Sequence, residues 1–115
     1  MNLKKVTIRG REYTLGYKVV TMDMMSLGLR KNPNLMKFRI GEWIDLPPDK
    51  VIANAGDYGG IWLAISSSAG NGLRKYMLRQ YEEKTRMFEA IVRDVLYHNC
   101  YRMKTSGIKL LEEIE

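Results

Sequence analysis

The sequence predicts an α+β, mainly α fold: an N-terminal β-hairpin followed by a helical bundle with one long C-terminal amphipathic helix. Two patterns carry that prediction. Residues 6–19 alternate apolar and polar side chains with a period of two, the mark of a strand with one buried face. Residues 71–103 place Leu73, Met77, Tyr81, Phe88, Ile91 and Val95 near a 3.6-residue spacing, the mark of a helix with one buried stripe. With 115 residues the chain forms one domain, 1–115, with a single modest core.

In the hairpin (1–20), Val6 and Ile8 alternate with Thr7 and Arg9, and Tyr13, Leu15, Tyr17 and Val19 alternate with Thr14, Gly16 and Lys18. Gly10-Arg11-Glu12 supplies the turn, since glycine takes a positive φ at little cost. Residues 21–68 read as short helices and irregular segments. Thr21 is a candidate N-cap for a helix to about Arg30, with Met22, Met25 and Leu29 on one face and Asn32-Pro33-Asn34 ending it. Residues 35–46 fit either a strand entering a turn at Gly41 or a short irregular helix. Pro47-Pro48-Asp49 reads as a helix start that runs to about Ala55 before Gly56. Residues 57–68 alternate poorly, which favours a helix there too.

In the long helix (71–103), Asn71 is the expected N-cap. The face opposite the apolar stripe carries Arg79, Glu82, Glu83, Arg86, Glu89 and Arg93, with Glu82–Arg86 and Glu89–Arg93 as i,i+4 pairs. Thr105-Ser106-Gly107 breaks the helix, and the tail 105–115 forms a short turn or frays.

Composition and motifs exclude most chemistry. The longest apolar run, Ile61 to Ile65, is too short to span a bilayer, so no membrane is expected, and Lys4-Lys5 does not lead into an apolar export signal. Cys100 is the only cysteine and His98 the only histidine, too few for a zinc site. No metal and no cofactor are expected. Asp94 and His98 stand four apart, but on a helix Cys100 points away from His98, so no catalytic residue is assigned. "ISSSAGNGLRKYMLRQ", residues 65–80, has neither the Gly-Lys-Ser/Thr ending of a Walker loop nor the third glycine of a dinucleotide loop. It reads as a break followed by a helix start.

A net charge of +6, in excess over both 1–50 and 71–104, suits nucleic acid or an acidic protein face. The candidate partner-binding residues are Arg74, Lys75, Arg79, Arg86 and Arg93 on the long helix, and Arg9 and Arg11 on the hairpin. Tyr13, Tyr17 and Lys18 add aromatic–basic character to the hairpin. The long helix, bearing Tyr, Met and Phe, is also a surface for homo-oligomer formation.

The stretch "VTIRGREYTLGYKVVTMDMMSLGLRKNP", residues 6–33, resembles the start of small tail assembly chaperones from long-tailed bacteriophages. Those proteins begin with a strand, a G-[KR]-x-Y turn, a second strand and a helix, matched here by Gly10, Arg11, Glu12 and Tyr13, with Val6, Ile8, Leu15 and Tyr17 flanking. The resemblance implies a mainly helical, non-enzymatic protein of phage or mobile-element origin that acts in the host cytoplasm. It would keep a tape-measure protein soluble during tail assembly. The alternative expectation is a small basic phage inhibitor, of anti-defence type, that binds a host nucleic-acid-processing complex or its nucleic acid.

Overall fold

The hairpin forms as its alternation predicts. The computed structural model describes residues 3–28 and 35–114, and in it β1 (Lys5–Ile8) pairs antiparallel with the start of β2 (Arg11–Thr21). Arg9 and Gly10 hold the two-residue turn, both with positive φ (51° and 77°), the backbone a tight hairpin requires. β2 outruns β1, and the rest of it pairs on one side with β5 (Thr85–Val92) and on the other, at Tyr17, with β4 (Ile61–Ala64).

Beyond residue 21 the predicted helical bundle is absent; the protein is mostly antiparallel β-sheet with one helix among the described residues. Thr21 caps no helix. Its hydroxyl accepts a bond from the Met25 amide (2.9 Å) inside a turn, after which 24–26 and 36–38 run antiparallel through Ser26 N–H to Met36 O (2.9 Å) and Phe38 N–H to Met24 O (2.8 Å). Leu29, Arg30 and the Asn32-Pro33-Asn34 break lie outside the described residues. For 35–46 the strand alternative is the one found: Gly41 turns with φ 81° and β3 (Trp43–Asp45) pairs with β8 (Gly107–Ile114). Pro48–Lys50 makes a single 3-10 turn, and extended Val51 stops it, so no helix reaches Ala55. Of 57–68, expected to be helical, 61–64 form strand β4 instead and only 67–68 enter a helix.

The long helix of 71–103 is also corrected. Its first half belongs to α1 (Ser67–Tyr81), which starts earlier than Asn71: Ser66 is the N-cap, accepting from the Ala69 amide (3.1 Å). Glu82 adopts a left-handed φ of 53° and its N–H closes on the Leu78 carbonyl, ending the helix. The second half is β5, β6 (Val95–His98) and β7 (Arg102–Thr105), and the supposed tail is β8. β5 is buried on both faces. A strand covered on both faces carries apolar residues at odd and even positions alike, and its period-two signal vanishes. The i,i+4 ion pairs vanish with the helix: Arg86 pairs with Glu113, and Arg93 with Asp45.

The strand order β3-β8-β5-β2-β4-β7-β6 rolls the sheet upon itself. β5 runs into β6 through Arg93-Asp94 and β7 into β8 through Ser106, so one bent hairpin supplies β5 and β8 on one side of β2 and, beyond β4, β7 and β6 on the other. Inside the roll lie Val20, Phe38, Leu63, Phe88, Met103, Ile108 and Leu110. Outside it, Tyr17, Val19, Ala64 and Met87 pack beneath Ala69 and Leu73 of α1. Gly16 lets the roll close: a β-carbon there would stand 2.4 Å from Met103 and 2.6 Å from Leu63. Burying each large side chain of this core contributes about 1.5–3 kcal/mol.

Candidate functional site

A groove of about 1000 Å³ runs between α1, strand β4 and the arm formed by 26–28 and 35–36. Its walls are apolar, with Leu27, Leu35, Met36, Leu63 and Leu73, and its rim is aromatic, with Tyr76, Tyr81 and Tyr101. Tyr101 is 69% exposed and Leu35 53%. Tyr76 and Tyr81 meet edge to face at 6.1 Å, and the neighbouring Tyr76 phenol holds the Tyr81 phenol above its ordinary pKa.

Lys18 opens on this groove. Strand alternation puts it on the inner face of β2, beside Gly16 and Val20. Its side chain crosses Phe38, with Nζ 5.3 Å from the ring centre, and donates to the main-chain carbonyl of Trp62 at 2.6 Å. Among the described residues no carboxylate pairs with it. Burial without a counter-charge disfavours the ammonium form, and it pulls Lys18 down to about 8.

Around Trp62 stand further cations. Arg102 lays its guanidinium 3.9 Å from the indole centre and reaches Asp57 at 3.8 Å. The indole N–H donates to the Asp57 carbonyl (3.1 Å), and Tyr97 meets the indole edge to face at 6.0 Å. Lys104, opposite Trp62 across the β4–β7 pair, is fully buried. Its Nζ donates to Asn54 O (3.0 Å) and Oδ1 (3.4 Å). Desolvation lowers its pKa, partly opposed by the charge of Asp57.

The seven residues predicted from sequence do not form one surface. Arg11 and Arg93 come together: Arg93 stacks on Trp43 at 3.9 Å, Trp43 meets Tyr13 at 6.0 Å, and Arg11 covers Tyr13 at 5.3 Å. They border a small cleft of about 280 Å³ with Lys5, Glu12 and Asp94, where the charges nearly cancel. Arg9 sits exposed in the hairpin turn. Arg74 and Arg86 lie at another place, Arg74 bonded to Thr85 (3.0 and 3.3 Å) and Arg86 forked onto Glu113 (2.7 and 3.0 Å). Lys75 and Arg79 are exposed on α1. His98 ends β6 and Cys100 follows in the turn, so the helical spacing of Asp94 and His98 no longer applies.

The sequence alone gives Lys18 no part in a groove, places Trp62 only among the apolar residues of a buried element, and assigns Arg102 nothing. The available signal was "GYKVV": a lone lysine inside an apolar run, which on a strand covered from both sides must enter the core region. Among the described residues no cluster of three metal-ligating side chains occurs, and no helix is long and apolar enough to cross a membrane. No protein-family model, no curated protein and no solved structure matches the chain.

Proposed function

We propose that this chain is a non-catalytic binding protein that holds a segment of a protein partner in the groove between α1 and β4. The observation that carries this reading is the groove itself, apolar along its walls, tyrosine-lined at its rim and cationic at one end. Interfaces favour that composition, because tyrosine and tryptophan supply large contact area at low entropic cost and a few such residues dominate the energy. Either role suggested by the sequence, a phage assembly factor that handles another chain or an inhibitor that holds a host complex, uses such a surface in the cytoplasm of a bacterial host. The homo-oligomer is not proposed through a long helix, since α1 ends at Tyr81.

Direct nucleic-acid binding has less support. Arg86 and Arg93 are engaged by Glu113 and Asp45, and the cations are scattered over separate places instead of tracking one groove. A peptide display library selected on the chain tests the proposal. Selected peptides should lose about tenfold or more in affinity for the Tyr76→Ala, Tyr101→Ala double variant, whose side chains lie on the exposed rim. Peptides that bind the double variant equally well would sink the groove as the site. Retention of single-stranded oligonucleotides alone, abolished by Arg11→Glu with Arg93→Glu, would replace the protein partner with nucleic acid.

A further inference from the structure

We infer that the groove selects a segment bearing a carboxylate, which seats against the Lys18 ammonium at the Trp62 main chain. This rests on the reading of the groove as a protein-binding site. An ammonium has three donors, and here only the Trp62 carbonyl receives one from a described residue. A cation held out of water without a counter-ion costs the fold stability, and that cost is offset when a ligand brings the missing anion. The charges around it are arranged for this. Among the described residues that line the groove Arg102 is the second cation, and the one acid, Asp57, is engaged by Arg102. The lining is therefore net positive before a ligand arrives. The remaining titratable groups on the groove are the phenols of Tyr76, Tyr81 and Tyr101 and the thiol of Cys100.

Proton linkage gives this seat a signature that a surface lysine would lack. Lys18 loses its charge at about pH 8 in the free protein, and the carboxylate requires the charged form. Affinity should thus fall by about tenfold between pH 7 and pH 9, where an ordinary lysine stays protonated. The measurement is made in a Cys100→Ser background, so that Lys18 is read without the thiol that also lines the groove.

The probes are the peptides selected on the chain, each synthesised with its acidic residues intact and as the corresponding amides, and titrated by calorimetry from pH 7 to pH 9. The acid forms should bind about tenfold or more tightly than the amides at pH 7 and lose that advantage by pH 9. Lys18→Arg, which stays charged throughout this range, should flatten the profile, and Lys18→Met should bind acid and amide forms alike. Equal binding of acid and amide by the unaltered protein overturns the carboxylate seat with no variant needed. If that occurs while the Tyr76→Ala, Tyr101→Ala loss persists, the groove stands and only the seat falls. If selection yields no peptide at all, the groove reading and the seat fall together.

Discussion

Two lysines flank strand β4, both drawn out of water, and only one of them is enclosed. Lys104 lies under the 54–60 loop, where Asn54 offers it a main-chain and a side-chain oxygen. Gly60 leaves room for its stem, since a β-carbon there would come within 2.3 Å of it. Lys18, on the other side, receives one carbonyl and then faces the groove. The enclosed cation has oxygens fixed by the fold, so it pins a loop that in turn carries the Asp57 contacts to Trp62 and Arg102. The open cation lacks that completion within the described residues. A charge which the fold itself fails to satisfy is better explained by binding than by stability.

The contrast predicts opposite signs for the two removals. Lys104→Ala has the larger effect: it empties the space under the loop and leaves the Asn54 carbonyl dry, a loss of about 3 kcal/mol in denaturant melts. A loss below about 1 kcal/mol would mean that the loop holds without its pin. Lys18→Met should instead stabilise the protein, by about 1–2 kcal/mol at pH 7, because an apolar side chain of similar length removes an uncompensated buried charge. The sign of the pH dependence follows from the lowered pKa. Between about 8 and 10.5 the unfolded chain holds the Lys18 proton and the folded chain does not, so the unaltered protein gains stability as pH rises through that window. The methionine variant has no such gain, and the gap between the two should narrow toward pH 10. Destabilisation by Lys18→Met at pH 7 would show that the bond to Trp62 outweighs the burial, and would make Lys18 a pin like Lys104.

The same distinction between local and distant partners explains what the sequence disclosed. The β1–β2 hairpin was legible because its turn and its alternation lie within one short stretch. Leu73 and Met77 were correctly placed on a helix, but three serines compete upstream as caps, and Ser66 holds the position because β4 ends just before it. Phe88, Ile91 and Val95 then continued the helical spacing by coincidence. The contrary signal was the β-branched content of Thr85, Ile91, Val92 and Val95. The arginines were legible as charges, yet whether each is free depends on Asp45 and Glu113, which only the fold brings to Arg93 and Arg86. In the sequence Lys18 is only the basic alternate of Tyr17 and Val19 on the hairpin. Its surroundings, Phe38 and Trp62, come from elements far along the chain, and no local pattern announces them.

The rolled sheet also sets an order of events for the newly made chain. β1 with β2, and β6 with β7, are neighbours in sequence, and such hairpins close within microseconds. The central seam is different: Thr21 meets Thr85 and Thr14 meets Val92, so β2 must find β5 across most of the chain. Long-range pairings of this kind form late and slow the whole process. Until they form, β5 has two apolar faces and nothing from β2 or α1 to cover either. Pulse-labelled hydrogen exchange during refolding should therefore protect the bent hairpin before the β2–β5 ladder; simultaneous protection would mean that the seam itself is the nucleus. On this account the interval of greatest aggregation hazard belongs to the strand that looked most like a helix.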